Sequence, residues 1–270
     1  AAPQARSIPV YKKGALSYDV YLPLSTKRRR KMWYNGSVTD IELRWPMVFI
    51  VYDLEMTVVH KKSQMPEIIE LGAVKVADND GKLDIVDTFQ TFVKPTKTPV
   101  LSKDTIAFTG ISQDDVDAAE PFREVVERFV AWIGTNDYYL ISWGPDDKIQ
   151  LVRECHSNGV RTDWIVNHNN LQKLFAGIVK QDKHQQIGLK AALEMMEIPF
   201  SGSHHRALDD AMNTARLFLK LSDRVRLQKN RLSDEQIYQT EIVYKTSQFT
   251  NTPFADLAKL LGQEKEPTTA

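Results

Sequence analysis

Three short stretches of the chain gather residue types that could do chemistry. Val48-Phe-Ile-Val-Tyr-Asp53-Leu-Glu55 is an apolar run that ends in two acids. A strand this apolar is buried on both faces. With a side-chain period of two, Asp53 and Glu55 point to one side and Leu54 to the other. Two carboxylates on one face repel unless a cation lies between them, and oxygen-only donors suit hard divalent ions such as Mg²⁺ or Mn²⁺. An ordinary strand end that reaches solvent has the same composition. Tyr139-Leu-Ile-Ser-Trp-Gly144 runs into Pro145-Asp146-Asp147, a junction that could equally cap the next helix, because acids are favoured at a helix start. His204-His205-Arg-Ala-Leu-Asp209-Asp210 opens a long helical pattern. It reads either as helix-terminus acids with a surface histidine pair or as a proton acceptor set beside metal-binding acids.

The elements that must position these residues can be read from periodicity. Pro46–Glu55 and Ile68–Val76 read as buried strands, and Asp84–Val93 alternates as a third. Asn79-Asp-Gly81 is a hairpin signal between the last two. Pro121–Gly134 is an amphipathic helix with Pro in its first turn and Gly at its end. Tyr138–Trp143 is a fourth strand, and helices follow over Asp146–Asn158, Asn170–Lys180, Leu189–Glu197 and Arg206–Arg224. A three-strand meander followed by alternating helix and strand predicts an α/β fold: a mixed sheet with helices on both faces. Thr252–Gly262 reads as a short capped helix, and 263–270 as a loose tail.

Taken together, Asp-x-Glu closing the first core strand, Trp-Gly-x-x-Asp after a later strand, and His-x(4)-Asp at the last long helix resemble the DnaQ-like exonuclease superfamily. The subgroup is the one with an Asp-Glu-Asp-Asp set and a histidine. Phe92-Val-Lys-Pro95, Leu101-Ser and Phe108-Thr-Gly-Ile-Ser-Gln113 with Val116-Asp117 look most like Eri-type exoribonucleases and bacterial KapD-type exonucleases. The resemblance implies a ribonuclease H-like sheet and a division into a basic extension (1–45), an exonuclease domain (46–224) and a helical extension with tail (225–270). It also implies metal-binding carboxylates at Asp53, Glu55, Asp147 and Asp210, with His205 as general base.

Two acidic doublets require a choice. Asp147 with Leu151 meets the family-like Asp-x-x-x-Leu spacing. For the other pair, helix geometry points to Asp209: a residue four after His205 lies ~40° round a helix and one five after lies ~140°. Asp210 requires His205 to sit on a loop before the helix, which Gly202 permits.

Such a site implies two Mg²⁺ ions, with Mn²⁺ as substitute, ~3.5–4 Å apart and clamping the attacking and leaving oxygens at phosphorus. The expected reaction is hydrolysis from the 3′ end of single-stranded RNA or DNA, releasing nucleoside 5′-monophosphates. RNA is favoured through the Eri-like text. A DNA exonuclease of the same fold and a catalytically idle nucleic-acid-binding scaffold are the alternatives. By the same resemblance Met56, Thr57, Phe108 and Thr109 pack on the terminal nucleotides; core packing explains Phe108 equally well, and Trp143 reads as core.

Composition narrows the setting. Lysines and arginines equal the acids at 35 each, so bulk charge names no partner. The first 47 residues nevertheless carry nine basic residues against Asp19, Asp40 and Glu42, which leaves the remainder acidic. Lys27, Arg28, Arg29, Arg30 and Lys31 precede Met32-Trp33-Tyr34, a cationic run beside aromatics that could hold phosphates while rings stack on bases. A solvated arm or an organelle-targeting remnant reads the same way. Cys155 is the single cysteine, so no intrachain disulfide forms and an intracellular, reducing location is expected. The longest apolar run is far short of the ~18 residues that span a bilayer, so no membrane partner is expected.

Overall fold

The computed structural model describes residues 28–34, 37–43, 47–60, 64–79, 82–134, 137–179 and 186–232. The expected helix at Thr252–Gly262, the tail and Lys27 lie outside them. The chain divides into two compact units, one up to Pro46 and one from Met47 onward.

In the first unit, β1 (Arg28–Tyr34) and β2 (Ser37–Leu43) form an antiparallel ladder from Arg28 opposite Leu43 to Tyr34 opposite Ser37. Sequence reading assigned no element here. The signal was nevertheless present, because the residues between the strands are Asn35-Gly36, a pair strongly preferred in two-residue hairpins.

The second unit is built on a six-stranded sheet. Its strands are β3 (Val48–Met56), β4 (Ile68–Asn79), β5 (Lys82–Lys94), β6 (Glu120–Pro121), β7 (Tyr138–Ser142) and β8 (His168–Asn170), in the spatial order β6-β5-β4-β3-β7-β8. The meander β3-β4-β5 is antiparallel, and β7 runs parallel to β3, as does β8 to β7. The helices are α1 (Lys103–Thr109), α2 (Gln113–Asp117), α3 (Phe122–Ile133), α4 (Asp146–Ser157), α5 (Leu171–Ile178), α6 (Leu189–Met195) and α7 (Ala207–Leu221). This is the mixed sheet that the alternation predicts. The short elements β6, β8, α1 and α2 are additions, being too brief to show a period. Residues 102 and 112 do carry helix-start chemistry: Ser102 accepts from the Thr105 N–H, and Ser112 and Asp115 form a reciprocal capping box.

Strand parity decides what each face of the sheet holds. Ile50, Tyr52 and Leu54 of β3 pack with Val125, Phe129 and Leu151, so α3 and α4 cover that face. Val51 packs with Phe175, Leu193, Ala211 and Phe218, so α5, α6 and α7 cover the other. Each fully buried Phe or Leu of this kind contributes ~1.5–3 kcal/mol through burial of apolar area. Asp53 and Glu55 share the parity of Val51 and so emerge on the α7 side. At Gly72 on β4 a Cβ would lie 2.1 Å from the Leu208 backbone nitrogen. Only glycine lets α7 approach the sheet this closely.

Candidate active site

The central strand delivers the first two acids. β3 is flanked by β4 and β7, and the β3–β4 register shifts between Glu55 and Met56, an irregularity that ends the regular pairing and re-aims the strand tip. Glu55 is buried and Asp53 half-buried. The third acid arrives from the far face. Asp147 lies in the first turn of α4, and its Oδ1 accepts from the Leu54 N–H at 3.3 Å, which ties the helix start to the strand between the two acids.

The fourth acid and the histidine come from the approach to α7. His205 precedes the helix and has φ +61°, a left-handed conformation uncommon for a residue with a side chain. Its N–H donates to Asp210 Oδ2 at 3.0 Å. Because His205 stands outside the helix, the helical angle that favours Asp209 does not apply. Asp209 instead accepts from the Ser203 N–H at 2.8 Å, and a Cβ on Gly202 would collide with its carboxylate. Among the described residues, Glu55, His205 and Asp210 bring one ligand atom each within 4.8 Å of one another.

Asp53 and Asp147 join this group electrostatically. Burial holds the Asp53 carboxyl well above its ordinary range, and the charges of Asp147, Asp210 and Glu55 push it further. Glu55 is raised by burial, then by Asp210, Glu70 and Asp147, with Arg206 partly offsetting. Asp147 is pushed up to about 7, chiefly by burial and the neighbouring Asp146, against the Leu54 N–H bond. Burial lifts Asp210 to about 6, with the His205 N–H bond acting the other way. A cation placed among such carboxylates would favour their charged forms. A divalent ion among oxygen donors and one imidazole would fit this donor set.

The exonuclease family model named RNase T matches residues 50–218, well over half of the chain. The chain belongs to this exonuclease family. A rat protein named 3′-5′ exoribonuclease 1 is 31% identical over 169 residues, covering 57% of this chain and 46% of the relative. The chain therefore spans about half the length of that relative. The probable 3′-5′ exonuclease KapD of Bacillus subtilis is 29% identical over 173 residues, covering 63% of this chain and 82% of KapD. The solved nuclease domain of 3′hExo, a DEDDh family member bound to rAMP, superposes with a TM-score of 0.61 at 28% identity, covering 69% of this chain and 97% of that domain. The ribonuclease H-like sheet expected from the sequence is thus the fold of this chain's second unit.

The expected nucleotide contacts divide. The half-buried Phe108 ring lies 3.9 Å from the His205 ring, centroid to centroid, which places it at the site. Met56, next to Glu55, is half-buried and packs against the α3–α4 side of the core. Thr57 and Thr109 are both buried, with hydroxyls bonded inside the fold. Thr57 Oγ1 accepts from the Glu67 N–H, while Thr109 Oγ1 donates to the Thr105 carbonyl and accepts from the Ile111 N–H. Arg28, Arg29 and Arg30 lie in the β1–β2 unit. Trp143 is core, and Cys155 is a buried packing residue whose thiol burial pushes up to about 12.

One site residue escaped sequence reading. Glu70 is fully buried on β4 and directly opposite Glu55 in the register. An acid inside Ile68-Ile-Glu-Leu71 was the available signal.

Proposed function

We propose that this exonuclease is a divalent-metal-dependent 3′–5′ enzyme that shortens single-stranded nucleic acid, with RNA as substrate, one 5′-mononucleotide at a time. The observation that carries the reading is the meeting of Glu55, His205 and Asp210, from distant parts of the chain, within 4.8 Å, with Asp53 and Asp147 close enough to raise and be raised by the same group. RNA is favoured because the first relatives are themselves named 3′-5′ exoribonucleases.

Asp53, Glu55, Asp147 and Asp210 would hold two Mg²⁺ ions, or Mn²⁺ in their place. Bound there, such ions would offset the charge developing on the phosphoryl oxygens and lower the pKa of a bound water. His205 would take the proton from the attacking water, since imidazole ordinarily titrates near neutral pH. The water oxygen bonds to phosphorus as the bond to the 3′-oxygen breaks. The shortened strand keeps a 3′-hydroxyl and the released nucleotide a 5′-phosphate. No covalent intermediate is expected, because the carboxylates serve as ligands.

Phe108 would pack on the terminal base, where stacking is typically worth ~1–3 kcal/mol per base. Arg28, Arg29 and Arg30 with Lys27 would contact phosphates of the substrate. The single buried cysteine suits a reducing intracellular compartment.

The test uses a 5′-labelled single-stranded RNA and its DNA twin, incubated with Mg²⁺ or with chelator, for wild type and Asp53→Ala. A ladder shortening from the 3′ end that needs both metal and Asp53 supports the reading. Internal cuts, or activity that survives Asp53→Ala, overturn it. A ladder on the DNA alone moves the substrate assignment to DNA.

A further inference from the structure

Glu70 is the third residue of β4 and has no exposed surface, between buried Ile69 and Leu71. A carboxylate so placed costs several kcal/mol in lost hydration unless its oxygens find donors. Four donors meet it. Oε2 accepts from the Ala207 N–H at 3.1 Å and from Arg206 Nε at 3.2 Å; Oε1 accepts from Arg206 Nη2 at 3.1 Å and from Gln90 Nε2 at 2.6 Å. Both oxygens are therefore occupied by fixed protein donors. Although Glu70 faces Glu55 across the strand pair, it is a brace rather than a further metal ligand.

The residues it braces are the informative part. Arg206 and Ala207 directly follow His205, and they supply three of the four donors. Arg206 is the N-cap of α7 but makes no side-chain capping bond, so Glu70 supplies from another strand the acceptor that the helix start lacks. Three carboxylates hold this approach: Asp209 on Ser203 N–H, Asp210 on His205 N–H, and Glu70 on Ala207 N–H. The first two belong to α7 itself and travel with the segment. Glu70 belongs to the sheet that carries Asp53 and Glu55. The planar guanidinium of Arg206 grips it in a two-pronged contact, which limits how far the left-handed His205 can turn.

We propose that Glu70 is a positioning residue: through Arg206 and Ala207 it fixes the His205 backbone, and so the imidazole, relative to Glu55. Its kinetic consequence rests on the nuclease reading; its structural consequence does not. Displacing a catalytic group by about 1 Å can cost ~100-fold in rate.

The experiment is a double-mutant cycle with a spectroscopic arm on the full chain. Glu70→Gln keeps the shape but turns an amide toward the donors of Arg206 and Gln90. Expected are a kcat about tenfold or more lower, KM changed by less than about threefold, and a residual kcat in the His205→Ala background that Glu70→Gln changes by less than about twofold. Asn170→Ala removes the cap of α5, where Asn170 Oδ1 accepts from the Lys173 N–H, and should leave kcat unchanged. In the metal-free protein the His205 ring resonances, assigned by their loss in His205→Ala, should move in Glu70→Gln and stay in Asn170→Ala. If Glu70→Gln does not fold, Arg206→Lys removes the two-pronged grip while keeping the charge, and the same pattern is expected. Equal losses in both backgrounds, or His205 resonances that do not move, overturn the proposal. A wild type without hydrolytic activity removes the nuclease reading, and the resonances then decide this one.

Discussion

Asp147 ought to make the metal-free protein less stable above neutral pH, and Asp147→Asn should reverse that. The side chain is 8% exposed, and burial with the nearby Asp146 pushes its carboxyl from an ordinary 3.8 up to about 7. In the unfolded chain the group ionises near its ordinary value. Between pH 4 and pH 7 the folded state therefore holds a proton that the unfolded state has released, and stability falls as pH rises. Each pH unit between the two values is worth ~1.4 kcal/mol, so the full effect at pH 8 is ~4 kcal/mol. Asparagine keeps the oxygen that accepts from the Leu54 N–H at 3.3 Å and removes the charge. Asp53 also feels Asp147 and relaxes with it. The expected gain at pH 8 in chelator is ~2–4 kcal/mol, a rise in Tm of roughly 4–16 °C for a domain of this size. Near pH 4 the unfolded state takes up the proton as well, and most of the gain disappears. Urea unfolding followed by circular dichroism, at pH 8 and pH 4 with EDTA, measures both. Added Mg²⁺ should stabilise wild type more than the variant. An Asp147→Asn protein no more stable than wild type at pH 8 without metal would refute the argument.

Further outcomes follow from the same geometry. Asp210→Asn should lower kcat by ~100-fold or more, while Asp209→Asn, at the carboxylate that accepts from the Ser203 N–H, should leave kcat within about fivefold; steady-state kinetics separates the two, and equal losses would return the choice to helix geometry. Gly72→Ala sets a Cβ 2.1 Å from a backbone nitrogen of α7, and backbone cannot swing aside, so a loss of ~3 kcal/mol or more in urea unfolding is expected. Removal of residues 1–45 should weaken binding to long single strands and flatten its dependence on salt, because the basic surplus lies there; affinities measured across a salt series check this, and an unchanged slope would discard the role of Lys27 and Arg28–Arg30.

How far the sequence reaches depends on the range of the interactions that fix each residue. Asp53 and Glu55 were legible because a strand's period is local: acids two apart at the end of an apolar run must share a side. Asp210 was not legible from helix geometry, since the angle that separates it from Asp209 presumes that His205 is helical. The left-handed turn that removes His205 from α7 is held by the Asp210 carboxylate itself. The β1–β2 ladder carries a turn signal in Asn35-Gly36 but no strict apolar alternation in its strands, so period alone does not reveal it.

Glu70 marks the more general limit. Its principal partner, Arg206, is 136 residues away, and no local pattern distinguishes an acid that binds metal from one that braces the chain. The fold makes the distinction through hydrogen-bond saturation. Glu67 accepts the backbone N–H groups of Thr96, Lys97 and Thr98, and Glu70 accepts four donors, so their lone pairs are spoken for. Asp147 accepts the Leu54 N–H and its own, and Asp210 the His205 N–H, fewer fixed donors than Glu70 receives. All these acids are buried to differing degrees within one small region, yet they divide by the number of fixed donors each receives. The less saturated ones hold a proton more readily than usual, through burial first and then through neighbouring carboxylates, Glu70 among them. The same physical deficit makes the group a competitor for any hard cation, and it is why removing one charge should stabilise the fold while abolishing its chemistry.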